Sequence, residues 1–378
     1  MDLGALVQNG RTIAAHAGRP LLPMVKADGY GLGAVRAAHA LESLQPWGFG
    51  VATVEEGIEL RSSGIDRPIL VCTPVLRTEL PRMADARLTP ALHDPESIGE
   101  WGKTGLPWHL SVDTGMSRAG IPWFLVAELH GLLRTHPPQG VFTHFHSAEL
   151  PDDTAALQLE RFTTVVEALP QRPELVHAEN SAAIQRFGRS AFDVVRPGIF
   201  LYGVGVPMPN APAAVPVVSM HGRVVDIREV PAGDTVSYLQ TYRAVGDRRI
   251  ATLALGYADG YPRAASNRGW AMLNGRRVPV AGLVTMDMTM LDVTGIPCEL
   301  GDIATLLGNP AEGAPDVSRL AFHAEMSPYE LLTRMRCRIE RRYVVGSESL
   351  PAGGERAHPS LPNDGGLRTV PDSNGASG

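Results

Sequence analysis

Eight short apolar runs recur through the first half of the chain, and stretches with helical spacing separate them. The runs occupy residues 22–27, 48–53, 68–73, 88–93, 108–113, 141–144, 175–179 and 194–201. Helix-like stretches between them include residues 35–44, 54–63, 122–135 and 153–169. Eight consecutive β-α units whose strands are apolar on both faces are typical of a (β/α)8 barrel. A doubly wound open sheet is the structural rival, but it would more naturally use five or six strands.

The pattern changes near residue 215, where short strand-like runs alternate with Gly, Pro and Asp turns. These runs occupy residues 217–230, 249–255, 271–273, 277–284, 288–293 and 303–307. They predict a mostly β second domain with one helix near 328–336. Beyond residue 345 the chain is rich in Gly, Ser, Pro and Asn, which favours disorder. We therefore predict a barrel at 1–213, a β domain at 214–345 and a disordered tail at 346–378.

Composition narrows the class of protein. Hydrophobic residues make up 44% of the 378 residues and the net charge is −6, which excludes a basic surface for nucleic acid or an anionic membrane. The three cysteines, Cys72, Cys298 and Cys337, are far apart and form no paired pattern. A reduced, cytoplasmic setting is the default expectation. No signal-peptide pattern or membrane-length apolar stretch is present, so the sequence predicts a soluble protein.

Polar residues follow several of the predicted barrel strands. They are Lys26, Asp113, His144, Asn180 with Ser181, and Arg196. Chemistry in a (β/α)8 barrel sits at the C-terminal ends of its strands, so several such residues together indicate a site. Lys26 could simply extend its amine from the barrel mouth. Its functional interpretation is a desolvated amine suited to forming a Schiff base.

The last two strands indicate an anion site. Barrel enzymes often bind phosphate with the loops after strands seven and eight. Here Ser181 opens a helix after strand seven, and Gly198 on strand eight allows backbone amides to approach an anion. A lysine on strand one opposite a phosphate site suits pyridoxal 5'-phosphate. No Cys or carboxylate cluster with metal-ligand spacing accompanies His144 and His146, so we predict no metal.

Together these segments resemble the alanine racemase family, over nearly the whole chain to about residue 345. The motifs that carry the resemblance are Val25-Lys26-Ala27-Asp28-Gly29-Tyr30-Gly31, Asp113-Thr114-Gly115-Met116-Ser117-Arg118, Thr143-His144-Phe145, Asn180-Ser181-Ala182, Val195-Arg196-Pro197-Gly198, Val236-Ser237-Tyr238, Gly256-Tyr257-Ala258-Asp259-Gly260-Tyr261 and Thr285-Met286-Asp287. No single motif is decisive, but their shared order is highly specific.

The resemblance implies a pyridoxal-phosphate enzyme that interconverts L- and D-alanine in a homodimer with shared active sites. Lys26 would carry the cofactor and exchange the α-proton on one face, and Tyr238 of the other subunit would act on the opposite face. Two bases are needed because racemisation moves a proton on both sides of a planar centre. His144 and Arg196 would tune Tyr238, and Arg196 would also face the pyridine nitrogen. The implied role includes D-alanine supply for peptidoglycan.

The family pattern also implies binding residues. Those for the cofactor are Lys26, Tyr30, Arg118, His144, Asn180, Ser181, Arg196, Gly198 and Ile199, of which Tyr30, Ser181, Gly198 and Ile199 would hold the phosphate. Arg118 and the partner subunit's Met286 would place the substrate carboxylate. Tyr257 and Arg263 would line the entrance across the dimer interface.

Three positions depart from the family pattern. Ser111 occupies a position that is often a carbamylated lysine, so Arg118 loses an anionic neighbour and a bound anion, water or another carboxylate is expected to replace it. Cys337 stands where a tyrosine near the phosphate is usual, and Leu283 replaces an entrance arginine. The chain also begins almost at its first helix, so the true start is expected to lie upstream.

Three alternatives stay open at this point. A non-catalytic pyridoxal-phosphate carrier shares the barrel, but it lacks a β domain and has no use for Tyr238. A related decarboxylase would place a carboxylate, not Arg196, at the pyridine nitrogen. A racemase of serine or another small amino acid remains the nearest alternative, because Leu283 and Cys337 alter the pocket rim.

Overall fold

The computed structural model describes residues 1–335 and 338–346. Cys337 and all but the first residue of the predicted tail, 346–378, lie outside the described residues. Among the helices in these described ranges, none is long and apolar enough to cross a membrane.

A curled parallel sheet forms the first half of the molecule. Its strands are β1 (Phe49–Val51), β2 (Ile69–Val71), β3 (Thr89–Leu92), β4 (His109–Asp113), β5 (Ile121–Pro122), β6 (Gly140–Phe142) and β7 (Leu175–His177). Six of them follow one another in the order β1-β2-β3-β4-β6-β7, and the short β5 pairs only with β4. Every residue of β1, β2, β3, β6 and β7 is buried, as expected for strands covered on both faces.

Two extended segments complete the ring. Residues 21–25 lie beside β1, and residues 194–196 lie beside the end of β7. The parallel bridges that join them are Met24–Gly50, Asn180–Arg196 and Leu21–Val195. Because the last bridge joins the first segment to the final one, the sheet closes on itself with eight strands. The predicted (β/α)8 barrel is confirmed.

The first helix precedes the first barrel segment, and the other helices of this half follow the barrel strands. The helices are α1 (Leu3–Ala17), α2 (Lys26–Tyr30), α3 (Ala34–Leu41), α4 (Val54–Ser62), α5 (Leu80–Asp85), α6 (Pro95–Gly102), α7 (His130–Thr135), α8 (Thr154–Ala168) and α9 (Ser181–Phe187). Side-chain caps fix several starts: Asp2, Asp94 and Asn180 each accept a hydrogen bond from a first-turn amide. The predicted helix at 122–135 is instead a 3-10 helix, Trp123–Leu129, followed by α7.

The second half is mostly β, as predicted. Its strands are β8 (Met220–Val230), β9 (Thr235–Val236), β10 (Tyr242–Arg243), β11 (Arg248–Leu253), β12 (Trp270–Leu273), β13 (Arg276–Pro279), β14 (Thr289–Asp292) and β15 (Ile303–Leu307). Six form an antiparallel sheet in the order β13-β12-β15-β8-β11-β14, while β9 and β10 pair separately. Along the start of β8 buried and exposed residues alternate, which places one face of the strand on the core.

Two helices accompany this sheet, α10 (Val317–His323) and α11 (Pro328–Thr333), whereas the sequence predicted only the second. Helix α11 packs against α2, the segment that begins with Lys26. A Cβ at Gly31 would overlap the Leu332 carbonyl, so the backbone of the lysine segment lies directly on α11. The second half of the chain therefore helps to fix the first strand end of the barrel.

Candidate active site

The chain reverses its helical hand directly after Lys26. Ala27, Asp28 and Gly29 have φ values of 53°, 52° and 61°, which are left-handed. Each L-residue in this conformation costs about 1–2 kcal/mol, so the surroundings must hold the turn in place. Asp28 contributes: its carboxylate accepts from Ala34 N at 3.0 Å and pairs with Arg341 at 2.6 Å. The prediction that the first strand continues through Ala27 is wrong, because the extended run ends at Val25.

Arg196 is buried at the end of the last barrel strand and is held by three hydrogen bonds. One terminal nitrogen donates to His177 Nδ1 at 2.7 Å, and the other donates to the carbonyls of Thr143 and Ala178 at 2.8 and 3.0 Å. Burial lowers the pKa of Arg196 to about 10, which still leaves it charged at neutral pH. Its Nε has no acceptor within residues 1–335 and 338–346. The guanidinium can therefore offer that N–H to a bound molecule.

The hydrogen bonds of Arg196 fix two histidine tautomers. Because guanidinium nitrogens only donate, His177 Nδ1 must accept, and its Nε2 then carries the proton. That Nε2 lies 2.9 Å from His109 Nδ1 and donates to it. His109 Nε2 is left as a buried N–H without an acceptor among the described atoms. Burial, followed by the charge of Arg196, lowers the pKa of His109 to about 3, so both rings are neutral.

His144 follows β6 and faces three cations. Burial first, then the positive charges of Arg196, Arg118 and Lys26, lowers the pKa of His144 to about 3. The imidazole is therefore neutral at neutral pH and can accept a proton or a hydrogen bond at one nitrogen. All three of these cations are predicted site residues, and each acts electrostatically on the same imidazole.

Two loops form a cradle beside Tyr30. Ser181 Oγ accepts from the amides of Gly198 and Phe200 at 2.9 and 3.3 Å. A Cβ at residue 198 would overlap the Tyr30 hydroxyl, so only glycine fits there. Burial raises the pKa of Tyr30 well above its usual value and keeps the phenol protonated. Ile199 N–H has no acceptor in the described part of the chain, so it is available to an anion.

Asn180 and Asp113 act on the backbone. Asn180 caps α9 by accepting from Ala183 N at 3.0 Å. Asp113 Oδ1 accepts from the amides of Gly115, Met116 and Ser117 at 2.9, 2.9 and 3.1 Å. One carboxylate thus orders the loop that carries Arg118.

Arg118 itself is exposed, and within the described ranges no carboxylate pairs with it. Ser111 is buried inside β4. The sequence predicted a replacement partner for Arg118 on the assumption that its site is partly buried. Since water reaches the guanidinium in this protomer, an unpaired charge is not costly here.

The predicted residues of the second domain lie on its surface. Tyr238 is 70% exposed and Met286 is 53% exposed. The described hydrogen bonds and aromatic contacts include none between these two side chains and the residues at the barrel end. Arg263 is also exposed and Tyr257 is half-buried. Within one protomer, the structure does not join Tyr238 to Lys26.

Two residues near the site were missed by sequence reasoning. Cys72 directly follows β2; burial raises the pKa of its thiol, and Arg196 and Lys26 oppose that shift, which places it near both cations. Its position after a barrel strand is a signal that could have identified it. Glu56 in α4 accepts from Ala27 N, beside Lys26, and no local pattern predicts this contact.

Comparison with known proteins covers both halves of the chain. The family model described as "Alanine racemase, N-terminal domain" matches residues 1–206, and "Alanine racemase, C-terminal domain" matches residues 217–343. The alanine racemase of Carboxydothermus hydrogenoformans is 38% identical over 340 residues, which cover 85% of this chain and 92% of that protein.

Solved structures are similar in fold over nearly the same span. The alanine racemase from E. faecalis matches with a TM-score of 0.85 at 28% identity, over 91% of this chain and 96% of that one. The alanine racemase from Bartonella henselae, with covalently bound pyridoxal phosphate, matches with a TM-score of 0.84 at 29% identity. That match covers 91% of this chain and 98% of the Bartonella chain.

Proposed function

Because the chain belongs to the alanine racemase family, we propose that it interconverts L- and D-alanine with pyridoxal 5'-phosphate as cofactor. The observation that carries the proposal is the common location of an amine, a neutral imidazole and an anion cradle. Lys26 follows the first barrel segment, His144 follows β6 and Arg196 lies on the last segment, which continues into Gly198; the charges of Lys26 and Arg196 lower the pKa of His144. An amine-bearing site with a separate phosphate cradle suits this cofactor.

The residues present fit the group. The Gly198 backbone, the Ile199 N–H and the protonated Tyr30 hydroxyl offer small, donor-rich surroundings for a phosphate. Arg196 Nε is the donor that would meet the ring nitrogen. When bound, the cofactor withdraws electrons from the substrate's α-carbon and so acidifies its proton.

Two bases would move that proton. Lys26 Nζ would take or return it on one face of the substrate. On the opposite face, the partner subunit's Tyr238 would do the same through its phenolic oxygen. Two residues are required because a single base returns the proton to the face from which it came. Neutral His144 would accept a hydrogen bond within this network, since its pKa of about 3 excludes the charged form.

Arg196 would determine which reaction the site favours. Its charge at neutral pH would oppose protonation of a ring nitrogen bound beside it. The buried His177–His109 pair holds the guanidinium in that position. Restraint on the ring nitrogen would suppress side reactions such as transamination, which distinguishes this arrangement from one with a carboxylate there.

The remaining roles follow from placement. Asn180 would support the cofactor loops through its cap on α9. Arg118 and the partner subunit's Met286 would bind the substrate carboxylate, and Tyr257 and Arg263 would line the entrance. The barrel at 1–213 would thus hold the cofactor, while the second domain at 214–345 would supply residues to the other subunit of a homodimer. We place the enzyme in the cytoplasm, where D-alanine would supply peptidoglycan synthesis.

The lysine content makes a decisive experiment possible, because Lys26 and the exposed Lys103 are the only two lysines in the sequence. Purified protein loaded with pyridoxal phosphate should be labelled by borohydride on the Lys26 peptide. It should also destroy the optical activity of L-alanine faster than that of L-serine. Lys26→Ala should abolish labelling and activity, whereas the control Lys103→Arg should retain both.

Three results would contradict the proposal. A label on Lys103 would overturn the assignment of Lys26. Stable cofactor binding without racemisation of any L-amino acid would favour a non-catalytic carrier, and preference for L-serine would favour the alternative substrate.

A further inference from the structure

Glu56 makes contacts that exceed those of a helix cap. It is the third residue of α4 and forms a capping box with Thr53: Glu56 N donates to Thr53 Oγ1 at 3.2 Å, and Glu56 Oε2 accepts from Thr53 N at 3.3 Å. The same oxygen accepts from Ala52 N at 2.7 Å. A capping box needs one carboxylate oxygen, so these contacts leave Oε1 free.

The second oxygen leaves the helix for a segment 29 residues away in the sequence. Glu56 Oε1 accepts from Ala27 N at 2.6 Å. Ala27 is the first left-handed residue after Lys26. Because the helical hand reverses there, Glu56 is the acceptor that this amide finds in the described part of the chain.

We propose that Glu56 is a positioning residue for Lys26, with its carboxylate bridging the loop after β1 to the backbone that carries the lysine. Val25 N donates to Gly50 O at 2.9 Å on one side of Lys26, and Ala27 N donates to Glu56 on the other. The lysine backbone is thereby fixed at both neighbours. The carboxylate also secures the left-handed turn that leads to Tyr30 and the anion cradle.

A carboxylate is required for this geometry. It accepts at both oxygens, and its three N–H partners are all donors. A glutamine would place an amide NH2 against one of these donors, so it would keep the shape but lose part of the bridge. The inference rests on the proposed role of Lys26, which the borohydride label on the wild-type protein tests independently.

The test separates positioning from helix capping. Glu56→Gln, Glu56→Ala and Thr53→Ala are compared with Glu55→Gln, an exposed neighbour on the same helical turn. Loss of a charge-assisted bond predicts that Glu56→Gln raises the dissociation constant for pyridoxal phosphate about tenfold in titrations of the apo-protein. When the cofactor is saturating, kcat should fall about tenfold with little change in KM. The reason is that the substitution displaces the lysine and leaves the substrate contacts in place.

Thr53→Ala removes the cap and leaves the bridge, so it should lower the Tm while the cofactor dissociation constant and kcat stay near wild type. Glu56→Ala should weaken cofactor binding and lower kcat more than Glu56→Gln does. If the alanine variant does not fold, the result for Glu56→Gln decides the test. The proposal is overturned if Glu56→Gln matches Thr53→Ala in cofactor affinity and kcat. If borohydride does not label Lys26 in the wild-type protein, the proposed function is refuted, and with it the role of Glu56 as a positioning residue for that lysine.

Discussion

Tyr238 sits on a turn whose neighbours have strained backbones. Ser237, Leu239 and Gln240 have φ values of 68°, 58° and 52°, and none is glycine. Ser237 Oγ donates to the Leu283 carbonyl at 2.7 Å. This hydrogen bond connects the turn to the segment that precedes Met286. Strain of this kind persists only where the surroundings fix it, and it is frequent at functional sites. Leu283, a departure from the family pattern, thus acts here through its backbone.

Relief of this strain is measurable at Leu239, which is 80% exposed and has little packing to lose. We expect Leu239→Gly to raise the free energy of unfolding by roughly 0.5–1 kcal/mol, because glycine adopts positive φ freely. Leu76 is a matched control: it is 76% exposed, but its φ is −73°. Leu76→Gly should therefore lower stability. Urea unfolding at one fixed protein concentration gives both values; equal changes in the two variants would disprove the strain.

Residue-level chemistry was predictable where it follows barrel geometry. Lys26, His144 and Arg196 could be identified because polar residues that follow apolar strands must meet at one end of the ring. Glu56 could not, since its partner amide at Ala27 exists only because the chain turns left-handed there. The apolar periodicity does not show whether a turn is left-handed. A hydrogen bond between residues 29 positions apart also produces no local sequence pattern.

At the scale of elements, strand order was predictable and strand ends were not. The eight apolar runs correspond to six regular strands and two bridged segments, because barrel strands are buried on both faces. The β9–β10 hairpin was missed, since each strand has only two residues. Helix α10 was missed as well, although Asp316 caps its first turn. Short elements are specified by tertiary contacts more than by periodicity.

The neutral histidines His109, His144 and His177 should make the stability of the barrel depend on pH. Burial holds the pKa of His109 and of His144 at about 3 and that of His177 well below its usual value. Below about pH 6.5 the unfolded chain takes up protons at these rings while the folded chain does not. Stability should therefore fall as pH decreases from about 6.5 towards 3, by up to roughly 1.4 kcal/mol per pH unit for each ring.

His109→Gln tests this at one ring. The free energy of unfolding, measured in urea at several values between about pH 7 and 4.5, should depend less steeply on pH than in wild type, by up to about 1.4 kcal/mol per unit. The absolute stability will also change, but the slope of the unfolding free energy against pH measures the proton uptake that His109 contributes. His39→Gln, at an exposed position on α3, is the control for the loss of a histidine. Parallel slopes for wild type and His109→Gln would refute the assignment.

The whole molecule presents an apolar surface on its second domain. Tyr238, Leu239, Met286 and Met288 are exposed by 70%, 80%, 53% and 47%. Ser237 Oγ, beside Tyr238, donates to the carbonyl of Leu283, which lies three residues before Met286. Apolar patches of this kind mark association surfaces. In the proposed two-base function, a second copy of the chain would supply the Tyr238 phenol at each site.

Shared sites make a quantitative prediction. Lys26→Ala and Tyr238→Phe should each be inactive alone, but a heterodimer of the two would contain one intact site, with Lys26 from one subunit and the partner subunit's Tyr238. Random exchange at equal amounts gives half heterodimers, so activity should recover to about a quarter of wild type. Subunits of distinguishable mass report the exchange directly. If both bases came from one chain, no mixture would recover any activity, so complete exchange without recovery would exclude a shared site.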